Sequence, residues 1–575
     1  MENVKRVFKG KYSSPAMAFG VGAILGILFF ATMFGFSVVN PVNVQWILNL
    51  GGDLAQHYFG WAFFRDADWT FPFGVATNLA YPYGVPVTFM DSIPLLAIVF
   101  KILSPILPET FQYLGIFTFV SFTLQGGIAG LIISRFTKNI YIIALCSLFF
   151  ILTPMIVMRS FVHTALTAHW IILLAIYILL LYKSKPVTLW RGLWVWTSLM
   201  VAAVLIHPYF LPMVMALFAI FIIQTYRRES WWKTVVRALS PVGIAVLAFG
   251  LAGGLASTDG ALNKVDLDLY SLNIVSLVDP MGASAFSEGE LFRDDRFGGF
   301  ESNEKLNYLG LGLMLLIPVV FYIVLNTSVA AGHRIKKVVK RWASWRNISS
   351  IIVLVGLGIF SLGTTIKLSN HVLFTLPVPD VVESLWLTFR SSARMFWPIY
   401  YLIIISLLVF VIRAFKRAPY WAPVIFIIPF LVIQFTDLRL SDQFRAKKAY
   451  VASARVAHSE AGKSIIVGIK DRYCNKDHMI SLSPYGYLEE FIIFAQPALA
   501  CGMTMSEGYY SHGYKLKEVR EFAAGEKQKI IDGTADFSKN LYLTTDGEFV
   551  SEIEGRYAVE RLENWFIVKG VRDDI

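Results

Sequence analysis

The sequence predicts a polytopic α-helical membrane protein of about 11 transmembrane helices with a small C-terminal domain of α/β or α+β type, on three observations. The 575 residues are 56% hydrophobic and only 16% charged, with a mean hydropathy of +0.58, well outside the range of a water-soluble chain of this length. The apolar residues gather into runs of membrane-crossing length separated by short loops. Beyond about Asp437 the runs stop and a mixed polar and apolar composition replaces them.

Charge placement sets the orientation. Basic residues concentrate in alternate short loops: Arg135 and Lys138; Lys183, Lys185 and Arg191; Arg227, Arg228 and Lys233; Arg334, Lys336, Lys337, Lys340, Arg341 and Arg346; then Arg413, Lys416 and Arg417. That alternation is the positive-inside pattern, so the net charge of +11 belongs to membrane topology and argues against a nucleic-acid partner. Three cysteines are too few for a disulfide scaffold; Cys146 falls inside an apolar run, leaving Cys474 and Cys501 as one pair open to an exported domain.

Taken in order, Lys5, Arg6, Lys9 and Lys11 precede an apolar run from about Ala16 to Val39, with no A-x-A-like cleavage site after it. It reads as a retained first helix with a cytoplasmic N-terminus. Residues 40–109 are then an outer loop, carrying five acids and two basic residues. Ile93 to Leu103 is apolar but short and is closed by Ser-Pro and Leu-Pro, which fits an interfacial helix; counting it as a span would invert most of the basic loops. Further spans fall at 110–134, 140–158, 165–182, 190–206, 208–224, 235–252, 308–325, 348–363, 395–414 and 420–436, making eleven with the first.

Residues 1–436 thus form a membrane module with outer loops 40–109, 253–307 and 364–394, and residues 437–575 an extracytoplasmic domain. Its strand-like pieces are SIIVGIK, NLYLTT and NWFIVKG. It carries no recognisable catalytic motif and is expected to pack over the outer loops.

Candidate site residues gather on the outer side. Gly51 and Gly52 allow a tight turn, after which Asp53 is either the N-cap of a new helix or a catalytic carboxylate held at the membrane interface. His57 follows one turn later on the same face. Arg390 and Arg394, four apart at the mouth of the tenth span, share a helical face and either grip an anionic head group or extend to the interface. Arg159, His163 and His169 bracket one outer turn, and His207-Pro208 forms another. Singly, each of these is an ordinary interfacial hydrogen-bonding residue; their common side makes Arg159, His163 and His207, with the loop acid Asp91, candidate substrate-binding groups. Asp294-Asp295 reads as a solvated face, with cation binding as the alternative. Metal-ligand spacing such as H-E-x-x-H is absent, as are Walker A and G-x-G-x-x-G motifs, so soluble nucleotide chemistry is not indicated; no cofactor is expected, a divalent metal being compatible with the sequence but not indicated by it.

The strings GGDLAQHYFGWAFFRDADWTFPFG, YPYGVPVTFMDSIPLL and FRSSARMFWP, set in this topology, resemble a bacterial subgroup of the GT-C class of integral-membrane glycosyltransferases. The class-level similarity covers residues 1 to about 436, and the motif part is confined to the first outer loop. The resemblance implies a GT-C-like fold, a polyprenyl-phosphate-linked sugar as donor, and an envelope glycan or lipid acceptor. It also implies Asp53 as the base, Arg390 with Arg394 on the phosphate, and a bacterial inner membrane with the C-terminal domain periplasmic. Two features depart from the class pattern. The loop acids are spread as Asp53, Asp66, Asp68 and Asp91, and Tyr81-Pro82-Tyr83 stands where an H-P-P string is common. The implied chemistry is single displacement with inversion. A lipid-glycan transporter or flippase, and an O-antigen ligase or polymerase, are the competing readings.

Overall fold

A computed structural model describes residues 14–184, 189–225, 231–256, 264–287, 303–329, 344–453, 459–510 and 515–571. The N-terminal basic run, most of the basic cluster from Arg334 to Arg346, Lys185, Arg227, Arg228 and the Asp294-Asp295 pair lie outside the described residues.

Helices dominate. Six of those described are long and apolar enough to cross a membrane, or seven if the bent pair Ile140–Ile151 and Pro154–Val162 counts as one span. The expected spans near 190–206, 208–224, 308–325 and 348–363 are apolar helices, but shorter ones. Around Ile93 the helix is Pro94–Ile102, too short to cross, as the interfacial reading required.

The first helix, Pro15–Met33, packs on Leu114–Ile133 through small residues. A Cβ on Gly22 would lie 2.0 Å from the Gly126 carbonyl oxygen, and one on Gly26 2.1 Å from that of Phe122. Gly130 meets Ala18 in the same way at 2.2 Å. Repeated small residues at four-residue spacing on both helices bring the backbones into direct contact, the packing that replaces hydrophobic driving force between membrane helices.

The bent pair is broken at Thr153-Pro154 with a 49° angle. Proline removes a helical donor there, and the Gln125 side-chain amide donates to the buried Phe150 carbonyl at 3.1 Å in its place. Arg159 therefore projects from a helix piece steered away from its predecessor.

The segment leading into helix Leu311–Val329 is tied to the last long apolar helix, Ala422–Leu440, by Asp437. Its carboxylate accepts hydrogen bonds from the Ala285 and Leu311 backbone N–H groups at 3.1 Å each, from the Tyr308 hydroxyl at 3.0 Å and from the Ser284 hydroxyl. Four donors on one buried carboxylate offset its desolvation and fix the start of helix Leu311–Val329.

The C-terminal region carries a five-stranded mixed sheet in the order Thr504–Met505, His478–Ser481, Asn540–Thr544, Trp565–Val571, Tyr557–Leu562. The first three strands run parallel and the last two antiparallel. NLYLTT and NWFIVKG supply strands, whereas SIIVGIK lies inside the helix Glu460–Tyr473. Ile465, Ile469 and Tyr473 are its buried face at helical spacing, and Ser459 caps it by accepting from Gly462 N–H. Cys474 and Cys501 form a disulfide between the ends of this helix and of helix Leu488–Ala500.

This sheet meets the loop that follows helix Gly52–Asp66 edge-on. Met505 N–H donates to the Asn78 carbonyl and Tyr81 N–H to the Met505 carbonyl, both at 2.9 Å. The Tyr81 ring stacks on His478 at 4.3 Å, and Gln56 donates to the Tyr509 carbonyl at 2.9 Å. The loop thereby covers a sheet edge whose backbone groups would otherwise lack partners.

Candidate functional site

Gly51 and Gly52 adopt positive φ values of 61° and 54°, turning the chain from helix Gln45–Leu50 into helix Gly52–Asp66. Gly51 occupies the N-cap position, with no side-chain cap bond. Asp53 lies within the first turn, so the expectation that it serves as the N-cap is corrected. Its carboxylate has no hydrogen-bond or ion-pair partner among the described residues. Burial, then the nearby carboxylates of Glu304 and Asp91, push its pKa from 3.8 up to about 6, against the opposing pull of Arg394 and Arg159.

His57, one turn on, is fully buried, and neither of its ring nitrogens has a partner among the described residues. Burial, and secondarily the neighbouring His163, lower its pKa to about 3, which keeps the ring neutral at physiological pH. The two rings meet edge to face with centroids 4.5 Å apart.

Asp91 reaches the same point from the far end of the loop. It follows the 3-10 turn Val87–Met90 in a left-handed conformation, φ 52°, which a short polar side chain tolerates better than most. Gly60 permits this close approach, since a Cβ there would lie 2.4 Å from Met90 Cβ and 2.5 Å from Ser92 Oγ. Ser92 Oγ donates to the His57 carbonyl at 2.7 Å, and the Tyr113 hydroxyl donates to the Ser92 carbonyl. So held, Asp91 places Oδ2 3.2 Å from His163 Nε2 and Oδ1 3.4 Å from His207 Nε2. The Tyr209 N–H donates to His207 Nδ1 at 3.3 Å. With Nδ1 accepting, the neutral ring carries its proton on Nε2, the nitrogen that faces Asp91.

Beside these groups Glu304 bridges two buried guanidiniums. Its oxygens accept from both terminal nitrogens of Arg159 at 2.7 and 2.8 Å, and from Arg394 Nε at 2.6 Å. Burial alone would raise the Glu304 pKa, but the two arginines hold it well below the usual carboxylate range. The Arg394 guanidinium lies over the Tyr209 ring at 4.5 Å.

The fold thus brings together Asp53, His57, Asp91, Arg159, His163, His207 and Arg394. Arg390 is elsewhere: its guanidinium lies over Tyr270 at 5.5 Å. The expectation that Arg390 and Arg394 share one helical face is corrected, because helix Asp380–Thr388 ends before Arg390 and Arg394 sits in the 3-10 turn Ser392–Phe396. Between them Ser391 N–H donates to the Tyr209 hydroxyl at 3.0 Å, which redirects the chain. His169 is also separate, with Nδ1 2.9 Å from the Tyr401 hydroxyl and its ring against Trp397. Glu304 was not singled out in the sequence. It is one of ten acids in residues 253–307, and nothing in its spacing distinguishes it.

Fold and site together define a largely helical protein with several candidate membrane spans, a small C-terminal α/β region and one buried cluster of carboxylates, imidazoles and guanidiniums. The chain belongs to DUF6311, a family described as a domain of unknown function, whose model matches residues 23–439. Residues 474–570 match the DUF6311 C-terminal domain. No curated protein matches the chain at a significant level.

Proposed function

We propose that this protein is an inverting membrane glycosyltransferase of GT-C type. In this reading eleven spans place the N-terminus in the cytoplasm and the C-terminal domain outside a bacterial inner membrane. The donor is a sugar on a polyprenyl phosphate, and the acceptor is an envelope glycan or lipid. The observation that carries the reading is Asp53, an unpartnered carboxylate with its pKa near 6, set beside the guanidiniums of Arg159 and Arg394.

Its chemistry suits transfer at an interface. A bond forms between the acceptor oxygen and the anomeric carbon while the bond from that carbon to the phosphate oxygen breaks. The acceptor proton passes to Asp53, a general base whose pKa lies close enough to neutrality to take it and return it. The departing lipid phosphate gains charge, and Arg394 with Arg159 beside it is the cationic group placed to meet that charge. Glu304 holds the two guanidiniums side by side against their mutual repulsion. Arg390, over Tyr270, is left out of this role.

The test is to incubate purified protein with radiolabelled polyprenyl-phosphate sugars and measure released lipid phosphate. Release that Asp53→Asn abolishes supports the assignment. Release that survives Asp53→Asn removes Asp53 from its role. Movement of lipid-linked glycan across proteoliposomes without release favours the transporter reading, and transfer of an intact glycan chain favours a ligase or polymerase.

A further inference from the structure

A second chemistry is built into the same cluster, and it stands on geometry independent of the transfer reading. His57, Asp91 and His163 each turn one donor atom toward a common point, and those atoms all lie within 4.8 Å of one another. The pair His163 Nε2 and Asp91 Oδ2 is already 3.2 Å apart, close to the separation of about 3.3 Å that two ligands take around a tetrahedral ion with bonds of about 2.0–2.1 Å. His57 supplies the third donor atom, within the same 4.8 Å.

The condition of His57 points to a ligand. Its ring is fully buried, and among the described residues both nitrogens lack a partner. An imidazole without a hydrogen bond is a costly way to fill a core, because its polar atoms lose water and gain nothing in return. His163 Nδ1 is likewise buried and unpartnered. His207 behaves differently. Its Nδ1 is occupied by the Tyr209 N–H, which leaves the protonated Nε2 3.4 Å from Asp91 Oδ1, the place of an outer-shell partner to a ligating carboxylate.

The local charge favours a cation. Around it the acidic side chains of Glu304, Asp53 and Asp91 outnumber the guanidiniums of Arg159 and Arg394, three to two. Two neutral imidazoles and one carboxylate select borderline first-row divalent ions, and disfavour calcium and magnesium, which take oxygen ligands.

We propose that His57, His163 and Asp91 form a binding site for a first-row divalent transition-metal ion, zinc being the best match to the donor set, with His207 as the residue that orients the Asp91 carboxylate.

The test uses full-length protein purified in detergent, with its affinity tag removed, stripped with a chelator and then titrated with Zn2+ or Co2+. The expected result is one equivalent of either ion per chain by elemental analysis, with visible d–d absorption bands from Co2+. His57→Gln and Asp91→Asn abolish the bands while keeping a single cooperative thermal transition without metal. His207→Ala retains the stoichiometry and weakens binding by about 10- to 100-fold. Asp53→Asn keeps its equivalent of metal whatever happens to sugar transfer, so a failure of the base assignment and a failure of the metal site are read separately. Stripped wild-type protein that melts cooperatively yet takes up no ion above background overturns the proposal. So does folded His57→Gln protein that binds like wild type.

Discussion

Glu304 and Arg159 are joined by two parallel hydrogen bonds, 2.7 and 2.8 Å, although 145 residues separate them in sequence. The fork of a guanidinium matches a carboxylate in this way, and Arg394 then approaches the same carboxylate from a third segment. Three buried charges are stable here only as a set.

Glu304→Gln is therefore expected to destabilise the protein by about 3–5 kcal/mol, because it leaves two desolvated guanidiniums facing a neutral amide. Thermal unfolding in detergent measures this. A transition unchanged from wild type would mean that the bridge contributes nothing to the fold.

Asp53 has the opposite balance. Its folded pKa is raised from 3.8 to about 6, so the native state binds this proton more tightly than the unfolded chain does. The associated stability is fully present below pH 3.8 and is lost as pH rises through about 6. Asp53→Asn cannot ionise, and at pH 7.5 it should be more stable than wild type by on the order of 1–2 kcal/mol, with the gain vanishing near pH 4. Unfolding curves of both proteins across that range check the sign.

The same ionisation predicts a rate profile. If Asp53 is the base, transfer should rise with pH through about 6 and then level, since only the carboxylate accepts the acceptor proton. The observable is kcat/KM for released lipid phosphate between pH 4.5 and 8. A profile flat across that interval would remove a group of this pKa from the rate.

Asp437→Ala strands four donors around a buried site: two backbone N–H groups and the hydroxyls of Ser284 and Tyr308. We expect a loss of about 2–4 kcal/mol and earlier proteolysis of the second outer loop. Limited digestion followed by mass spectrometry locates the cut; cleavage confined to other loops would argue that Asp437 does not anchor this segment.

The Cys474–Cys501 disulfide predicts that denatured, unreduced protein alkylates at one cysteine of three, Cys146, and at all three after reduction. Disulfides persist in oxidising compartments, so the same assay on protein taken directly from cells reports which side the C-terminal domain faces. Three free thiols before reduction would place it in the cytoplasm.

Some of this was legible in the chain because it depends on local physics. Apolar runs mark the long helices, Gly51-Gly52 marks the turn into the Asp53 helix, and the change after Asp437 marks the region containing the mixed sheet. SIIVGIK was misread because a short apolar run fits either period until its neighbours are known. Only burial of Ile465, Ile469 and Tyr473 on one side makes it a helix.

Hydrophobicity, periodicity and turn chemistry are properties of neighbouring residues, so the sequence by itself determined the long apolar helices, the turn into the Asp53 helix and the presence of histidines and arginines near helix ends. Tertiary structure alone decided which of them meet. Arg394 found Glu304 across 90 residues while Arg390, four positions away, found Tyr270. Asp91, 38 residues beyond Asp53 in the chain, became the neighbour of His163 and His207. Buried charges are chosen by whichever distant partner offsets the loss of water, and that choice leaves no trace in local spacing.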